Sequence, residues 1–233
     1  VLLIPAYEEA ERLPDVLRRV ADAALDFDVV VVDDGSRDGT AAVAVAAGAR
    51  VFRHPFNLGY GAALQTGYKY ARSAGVELLV QMDADGQHDP ADLPALVEPV
   101  AAGTLDLVVG SRFLGTGEYH MDAARSAGRT FFRLLLRGFG LRVTDPTSGF
   151  QAMNRRVLDF YVRDAFPSDY PDVDVLLAAH RHGLRIGERP VAMAASARPS
   201  TLHAGLAPIY YVYKMLLSVW ASAGPPTDGR KAT

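Results

Sequence analysis

Cysteine is absent from the 233-residue chain, so no disulfide framework can form, and the absence fits a reducing, cytoplasmic compartment. A chain of this length buries about 70 to 75% of its unfolded surface and needs no covalent staple. A charge excess of either sign is also missing: 24 Lys+Arg stand against 27 Asp+Glu. No global field therefore draws the chain to DNA or RNA, no nucleic-acid partner is expected, and attraction for anions must be local. Lysine is scarce, with Lys69, Lys214 and Lys231 alone, which leaves phosphate binding mainly to arginine, whose fork grips two oxygens. No apolar run reaches the roughly 20 residues that span a bilayer. The nearest, Leu206 to Ala223, is interrupted by Pro208 and Lys214 and reads as a docked or interfacial helix. The tail from Gly224 to Thr233 reads as flexible. The chain opens on Val1, so a few residues are expected before it, and Val1 to Ile4 is too short for a signal peptide.

What is present is an alternation. Val1 to Ile4, Asp28 to Val32, Arg50 to Arg53, Leu78 to Met82 and Asp106 to Gly110 are short apolar runs without period-two alternation, the pattern of strands buried on both faces. Ala10 to Ala24, Thr40 to Ala47, Gly59 to Ala74 and Asp92 to Ala101 suit helices, with Asp38, Thr40 and Asp92 as start residues. Such units predict an α/β fold with a Rossmann-like, mainly parallel sheet flanked by helices. Beyond Gly110 the chain becomes rich in Gly, Arg and aromatic residues. A short strand and helix are expected over Phe150 to Tyr161, a helix over Asp172 to His182 and a strand over Gly183 to Met193. One domain, 1–223, accounts for this organisation.

Ligands of parallel sheets sit beyond the carboxyl ends of the strands, and three of those ends carry unusual residues. The second strand runs into "VVDDGSRDGT", where Ser36 or Asp38 can cap a helix, while the pair Asp33 and Asp34 suggests hydrogen bonds to a base or ribose. The fourth runs into "MDADGQHDP", where Asp83 and Asp85 can project to one side. Two carboxylates beside a diphosphate repel it by about 4 kcal/mol each at 4 Å and a surface-like dielectric. A divalent cation, Mg2+ or Mn2+, reverses that sign, with Gln87 near enough to help. The alternative is an Asx-type turn that merely ends a strand. His88, beside this turn, can orient it, and both His88 and His203 read as surface residues.

Taken in order, "IPAYEEAERL", "VVDDGSRDGT", "HPFNLGYGAALQTGYKYA", "MDADGQHDPADL", "VVGSRF" and "DPTSGFQAMNRRVL" resemble the family 2 glycosyltransferases of GT-A fold. The similarity runs from Val1 to about Met193 and is greatest to the polyprenyl-phosphate sugar synthase branch, such as dolichol-phosphate mannose synthase. It implies an inverting transfer of a sugar from a UDP- or GDP-linked donor, dependent on Mn2+ or Mg2+, with donor residues in 1–110 and acceptor residues in 111–223. Pro5, Ala6, Tyr7 and Glu9 match the nucleotide pocket, and Asp34, with Asp33 beside it, matches the acid that contacts the base. Asp83, Ala84 and Asp85 match the DxD motif, and Gln87 matches a residue beside the metal. Glu8 departs from the family, standing where asparagine is usual.

The acceptor decides whether a base is needed, because a hydroxyl must lose its proton whereas a phosphate is already ionised. Asp172 and Asp174 stand where related transferases place an acid, Asp174 being the preferred base. Arg112 and Arg198 match arginines that the polyprenyl branch uses on acceptor phosphate. Arg125, Arg129, Arg133 and Arg137 recur every fourth residue among apolar neighbours, a pattern that suits peripheral contact with the inner face of an anionic membrane. Arg125 and Arg129 are assigned to acceptor contact, and Arg133 and Arg137 to a solvated face. A polyprenyl phosphate is the expected acceptor, with a sugar hydroxyl as the alternative. A dinucleotide-binding oxidoreductase is disfavoured, because "GYGAAL" has Leu64 where the third glycine belongs and follows the third strand.

Overall fold

The computed structural model describes residues 1–23, 26–115, 123–163, 166–167 and 171–194, without the side chains of residues 123–125 and 127. The apolar runs become strands β1 (Leu2–Ala6), β2 (Val29–Asp33), β3 (Arg50–Arg53), β4 (Leu78–Gln81) and β5 (Leu107–Ser111), followed by β6 (Gln151–Asn154) and β7 (Ile186–Pro190). Helices α1 (Leu13–Asp22), α2 (Thr40–Ala46), α3 (Tyr60–Ser73), α4 (Leu93–Ala101), α5 (Ala123–Gly138), α6 (Arg155–Tyr161) and α7 (Val173–Arg181) separate them. All seven strands join one sheet, in the order β3-β2-β1-β4-β6-β5-β7. Every pairing is parallel except those of β6, which runs antiparallel to both β4 and β5.

Neighbouring strand residues point to opposite faces, and each face has its own core. Leu3, Val30, Val32, Leu79, Leu107 and Val109 pack with α3, α5, α6 and α7. Leu2, Ile4, Val31, Val80 and Val108 pack with α1, α2 and α4. The expectation of strands buried on both faces holds for β1 and β5 and fails for β3. That strand lies at the sheet edge with Arg50 and Arg53 exposed, and edge charges discourage pairing with another chain. Helix α1 begins at Leu13 rather than Ala10, because the Glu9 carbonyl closes a turn with the N–H groups of Arg12 and Leu13, and Pro14 fills the first helical turn. Gly67 lets α3 approach the sheet closely: a Cβ there would lie 2.3 Å from the Leu3 side chain.

Asp106, fully buried just before β5, ties three strands together. Its carboxylate accepts from Arg185 Nε at 3.0 Å and backbone N–H at 2.9 Å, from Asn154 Nδ2 at 2.8 Å and from Arg156 at 3.2 Å. Hydrogen bonding to Arg185 is the largest influence holding this carboxyl well below the usual range. A carboxyl with a depressed folded-state pKa contributes stability that is complete above its unfolded pKa, about 3.9, and is lost as pH falls further. The urea midpoint of the wild type should therefore drop steeply below about pH 4, and Asp106→Asn should lower the midpoint at pH 7 and flatten that drop.

Candidate active site

The strand order reverses between β1 and β4: the chain builds outward through β2 and β3, then returns to start the other half of the sheet. A crevice at such a switch point is where this class of sheet binds ligands. The antiparallel β6 completes the site. Because it starts where β4 and β5 end, the loop before it, Thr144 to Phe150, lies at the mouth beside Asp83 and Arg112.

On the donor side, Pro5 and Ala6 end β1 buried in the sheet, Tyr7 is 46% exposed at the mouth, and Glu9 pairs with Arg12 at 2.9 Å. Glu8 is, among the described residues, the one non-glycine with positive φ, 56°. Asparagine tolerates that left-handed region far better than glutamate, which explains its usual presence at this position. Here two hydrogen bonds hold the strained residue: Glu8 N–H donates to Ser36 Oγ at 2.9 Å, and Arg37 N–H donates to Glu8 Oε1 at 2.8 Å. Ser36 thus secures the first loop rather than capping a helix. Asp38 accepts from the N–H groups of Thr40 at 2.9 Å and Ala10 at 3.0 Å, joining the starts of α1 and α2.

Asp33 and Asp34 are buried and engaged with the protein's own loops. Asp34 accepts from the N–H groups of Leu58 and Gly59, each at 2.9 Å, and meets His54 Nδ1 at 2.7 Å. Asp33 Oδ1 accepts from Ser36 N–H at 3.0 Å. Its Oδ2 lies 3.1 Å from Arg53 Nε but out of line for a hydrogen bond.

At the end of β4, the turn and the acidic pair coexist. Asp85 Oδ1 accepts from Gln87 N–H at 2.9 Å across Gly86, whose φ of 79° closes the Asx turn. That bond uses one oxygen of one carboxylate. Asp83 Oδ1 accepts from the Tyr60 hydroxyl at 2.7 Å. Burial pushes both carboxyls up, and Asp83 raises Asp85 further. Among the described residues, neither carboxylate is paired with a lysine or arginine; the nearest basic group is His88, whose Nε2 lies 4.0 Å from Asp83 Oδ2. Contrary to a surface reading, His88 is buried, stacked on Phe150 with ring centroids 4.7 Å apart. Burial pushes its imidazole down to about 4, so it is neutral at pH 7. Its Nδ1 accepts the Asp83 N–H at 3.3 Å, which puts the proton on Nε2, a buried atom without a hydrogen-bond partner among the described residues. Gln87 is fastened to the strand after β7, its side chain donating to the Ala194 carbonyl at 3.3 Å.

Two repelling, desolvated carboxylates without a basic partner form a donor set that suits a divalent cation. Among the described residues no three His, Asp or Glu side chains gather into a closed cage. Cations of the Mg2+ type are commonly held by one or two carboxylates together with substrate phosphates.

Across the mouth, Arg112 follows β5 and is gripped by Asp145. Arg112 Nε and Nη2 each donate at 2.6 Å, its backbone N–H donates at 3.1 Å, and Nη2 also reaches Thr147 Oγ1 at 3.2 Å. Asp145 N–H and Thr144 N–H in turn donate to Glu188 of β7 at 2.9 and 2.8 Å. On α5, the Arg129 guanidinium sits 3.7 Å above the Phe113 ring. Burial, then the neighbouring Arg133, pulls Arg129 down from its ordinary value. The Nε atoms of Arg129 and Arg133 are buried without hydrogen-bond partners among the described residues, so Arg133 turns inward rather than onto a solvated face, whereas Arg137 is exposed. Phe131 and Leu134, 43% and 57% exposed, occupy the outer surface instead. The Arg125 side chain, Arg198, His203 and the segment from Leu206 to Ala223 lie outside the described residues.

Asp172, which precedes α7, and Asp174, in its first turn, separate. Asp172 lines a small cavity with Tyr60, Ser148 and Gly149, and Tyr60 and Gly149 in turn lie against Asp83. Asp174 is 4% exposed, and its charge adds to the burial that raises the Tyr161 phenol. Sequence reading passed over Tyr60, Asp145 and Gly149. Tyr60 lies in the quoted "HPFNLGYGAALQTGYKYA" and the other two in "DPTSGF", and membership of those motifs was the one signal.

The family model of Glycosyl transferase family 2 matches residues 1–161. The chain belongs to that family. It is 38% identical over 201 residues to an undecaprenyl-phosphate mannosyltransferase of Micrococcus luteus, covering 81% of each chain. It is 33% identical over 204 residues to a polyprenol monophosphomannose synthase of Mycolicibacterium smegmatis, covering 82% of this chain and 76% of that one. Among solved structures, glucosyl-3-phosphoglycerate synthase from Mycobacterium tuberculosis, in complex with Mn2+ and UDP-glucose, superposes with a TM-score of 0.69 at 22% identity. The match covers 98% of this chain and 80% of that one. The fold of the family 2 transferase is thus GT-A, and the oxidoreductase alternative falls away. No helix among the transferase's described residues is long and apolar enough to cross a membrane.

Proposed function

We propose that this transferase binds a nucleoside-diphosphate sugar at the β1–β4 crevice through Mn2+ or Mg2+ held by Asp83 and Asp85, with Gln87 beside them, and moves the sugar with inversion to a polyprenyl phosphate. The carrying observation is the pair of desolvated carboxylates without a lysine or arginine partner, facing an arginine-rich wall across the same mouth. The bound cation would supply positive charge to the departing diphosphate. The rest falls to the protein. Tyr7, exposed at the mouth, offers a face to the base, while Pro5, Ala6 and Glu9 shape the pocket floor and Asp33, buried beside Arg53, braces the loop from Ser36. Asp34 acts through the loop it holds.

Arg112, aimed by Asp145, and Arg129, with an unsatisfied Nε, supply donors for an acceptor phosphate; Arg125 and Arg198 complete this assignment from sequence. Arg112, Arg129 and Arg133 against Asp145 and Glu188 leave the described part of the wall net positive, which favours an ionised phosphate over a neutral hydroxyl. Such an acceptor needs no base. The names of the two mannosyl-transferring relatives support the same acceptor, and the Mn2+ and UDP-glucose of the solved neighbour support the cation and donor class. The exposed Phe131 and Leu134 support peripheral contact with the inner face of a membrane. In this reading residues 1–110 serve the donor and 111–223 the acceptor.

One observation favours a hydroxyl acceptor: Asp172 lines the cavity beside Tyr60 and Gly149, a position from which a base could act, whereas Asp174 is buried. The test is transfer from a panel of UDP- and GDP-sugars, with Mn2+, to vesicles carrying undecaprenyl phosphate. The polyprenyl reading expects a lipid-phosphate sugar whose formation survives Asp172→Asn. Transfer confined to a sugar hydroxyl and abolished by Asp172→Asn would overturn it.

A further inference from the structure

A line of hydrogen bonds, buried at Tyr68 and part-buried at Tyr60, leads from the core to Asp83. Tyr68, two turns into α3, donates its hydroxyl proton to Gln81 Oε1 at the end of β4. That contact fixes which way the amide faces, so Gln81 Nε2 donates to the Tyr60 hydroxyl oxygen at 3.1 Å. With its oxygen occupied as an acceptor, Tyr60 directs its own proton to Asp83 Oδ1 at 2.7 Å. Gly149 closes the far side: a Cβ there would lie 2.7 Å from Asp83 Oδ2, 2.8 Å from the Tyr60 hydroxyl and 3.0 Å from Asp83 Oδ1. The carboxylate is thus clamped between a phenol and a backbone, with one lone pair of Oδ1 already engaged.

We propose that Tyr60 holds Asp83 to ligation through one oxygen and thereby sets the preference of the site for small octahedral cations over Ca2+. The inference rests on the reading that Asp83 and Asp85 hold the donor's cation. Calcium takes six to eight oxygens and uses carboxylates in either one- or two-oxygen mode, whereas Mg2+ demands a near-ideal octahedron. The phenol takes one lone pair of Oδ1 and, with the Gly149 backbone on the far side, holds the plane of the carboxylate, so turning both oxygens onto one cation strains or breaks that contact. Tyr60 is a positioning residue acting through Asp83, and Gln81 and Tyr68 keep its proton pointed.

The experiment is calorimetric titration of UDP, or GDP if that is what the wild type binds, in saturating Mn2+, in saturating Ca2+ and in EDTA, for wild type and Tyr60→Phe. Matching melting temperatures in EDTA establish that the variant is folded. The wild type should bind far more tightly with Mn2+ than with Ca2+, and Tyr60→Phe should close that gap by about tenfold, the lower range for loss of a ligand's supporting hydrogen bond. An unchanged Ca2+ to Mn2+ ratio, whether or not both affinities fall, overturns the role of Tyr60 while leaving the metal site standing. A wild type indifferent to Mn2+ overturns both. Should Tyr60→Phe not fold, Gly149→Ala reads the same ratio, because its methyl group would drive the same hydroxyl and carboxylate apart.

Discussion

Asp85→Asn should reduce sugar transfer by about a thousandfold while leaving the metal-free protein at least as stable as the wild type. The first half follows from the charge needed opposite the leaving diphosphate, since loss of one preorganised electrostatic contact costs on the order of 10²–10³ in rate. The second follows from the apo geometry. The amide oxygen of asparagine can still accept the Gln87 N–H that closes the turn, 2.9 Å away in the wild type. Substitution also removes a like charge, because burial and Asp83 both raise the Asp85 carboxyl. A carboxyl raised in this way opposes folding when ionised. The check is an initial-rate assay beside melting curves in EDTA. A large fall in the EDTA melting temperature would make Asp85 a fold-supporting turn residue instead.

The acceptor wall should respond in the opposite sense. Asp145 is fully buried and Arg112 keeps 14% of its side chain exposed, so Asp145→Ala leaves a guanidinium desolvated without its carboxylate. Breaking a buried pair from one side costs about 3–5 kcal/mol, or roughly 10 °C in melting temperature for a chain of this size. The loss should extend to acceptor KM, since Arg112 would no longer be aimed. Arg112→Met combined with Asp145→Leu should recover much of the lost stability but none of the acceptor binding, because the double variant removes the orphaned charge along with the phosphate donor. Urea denaturation of the wild type and the two variants checks this. Equal destabilisation by the single and double variants would mean that the cost comes from the loop's backbone bonds to Glu188 rather than from the pair.

The sequence carries its strands openly, because burial on both faces demands uninterrupted apolar runs such as Val29 to Val32 and Leu107 to Val109. Edges are less legible: Arg50 to Arg53 looks like the others until its place in the sheet leaves it exposed. The antiparallel course of β6 leaves no mark in Gln151 to Asn154, since direction is set by connections rather than by composition, yet it brings Gly149 against Asp83. Asp83 and Asp85 stand out because an Asx turn uses one carboxylate and leaves the second acid, one residue away at a sheet mouth, without an ordinary structural use. Tyr60 does not stand out, because an aromatic at the start of a helix is commonplace and only the tertiary contact reveals its proton's destination. Asp33 and Asp34 show the converse. Their pattern suggested ligand contact, and their geometry first serves the loops from Ser36 to Gly59.

Crystals grown with Mn2+ and the nucleoside diphosphate the protein selects, measured at the manganese absorption edge, address the central claim most directly. An anomalous peak in contact with the Asp83 and Asp85 carboxylates and the diphosphate oxygens is the expected result. A diphosphate bound in the crevice with no manganese against those two residues would contradict it.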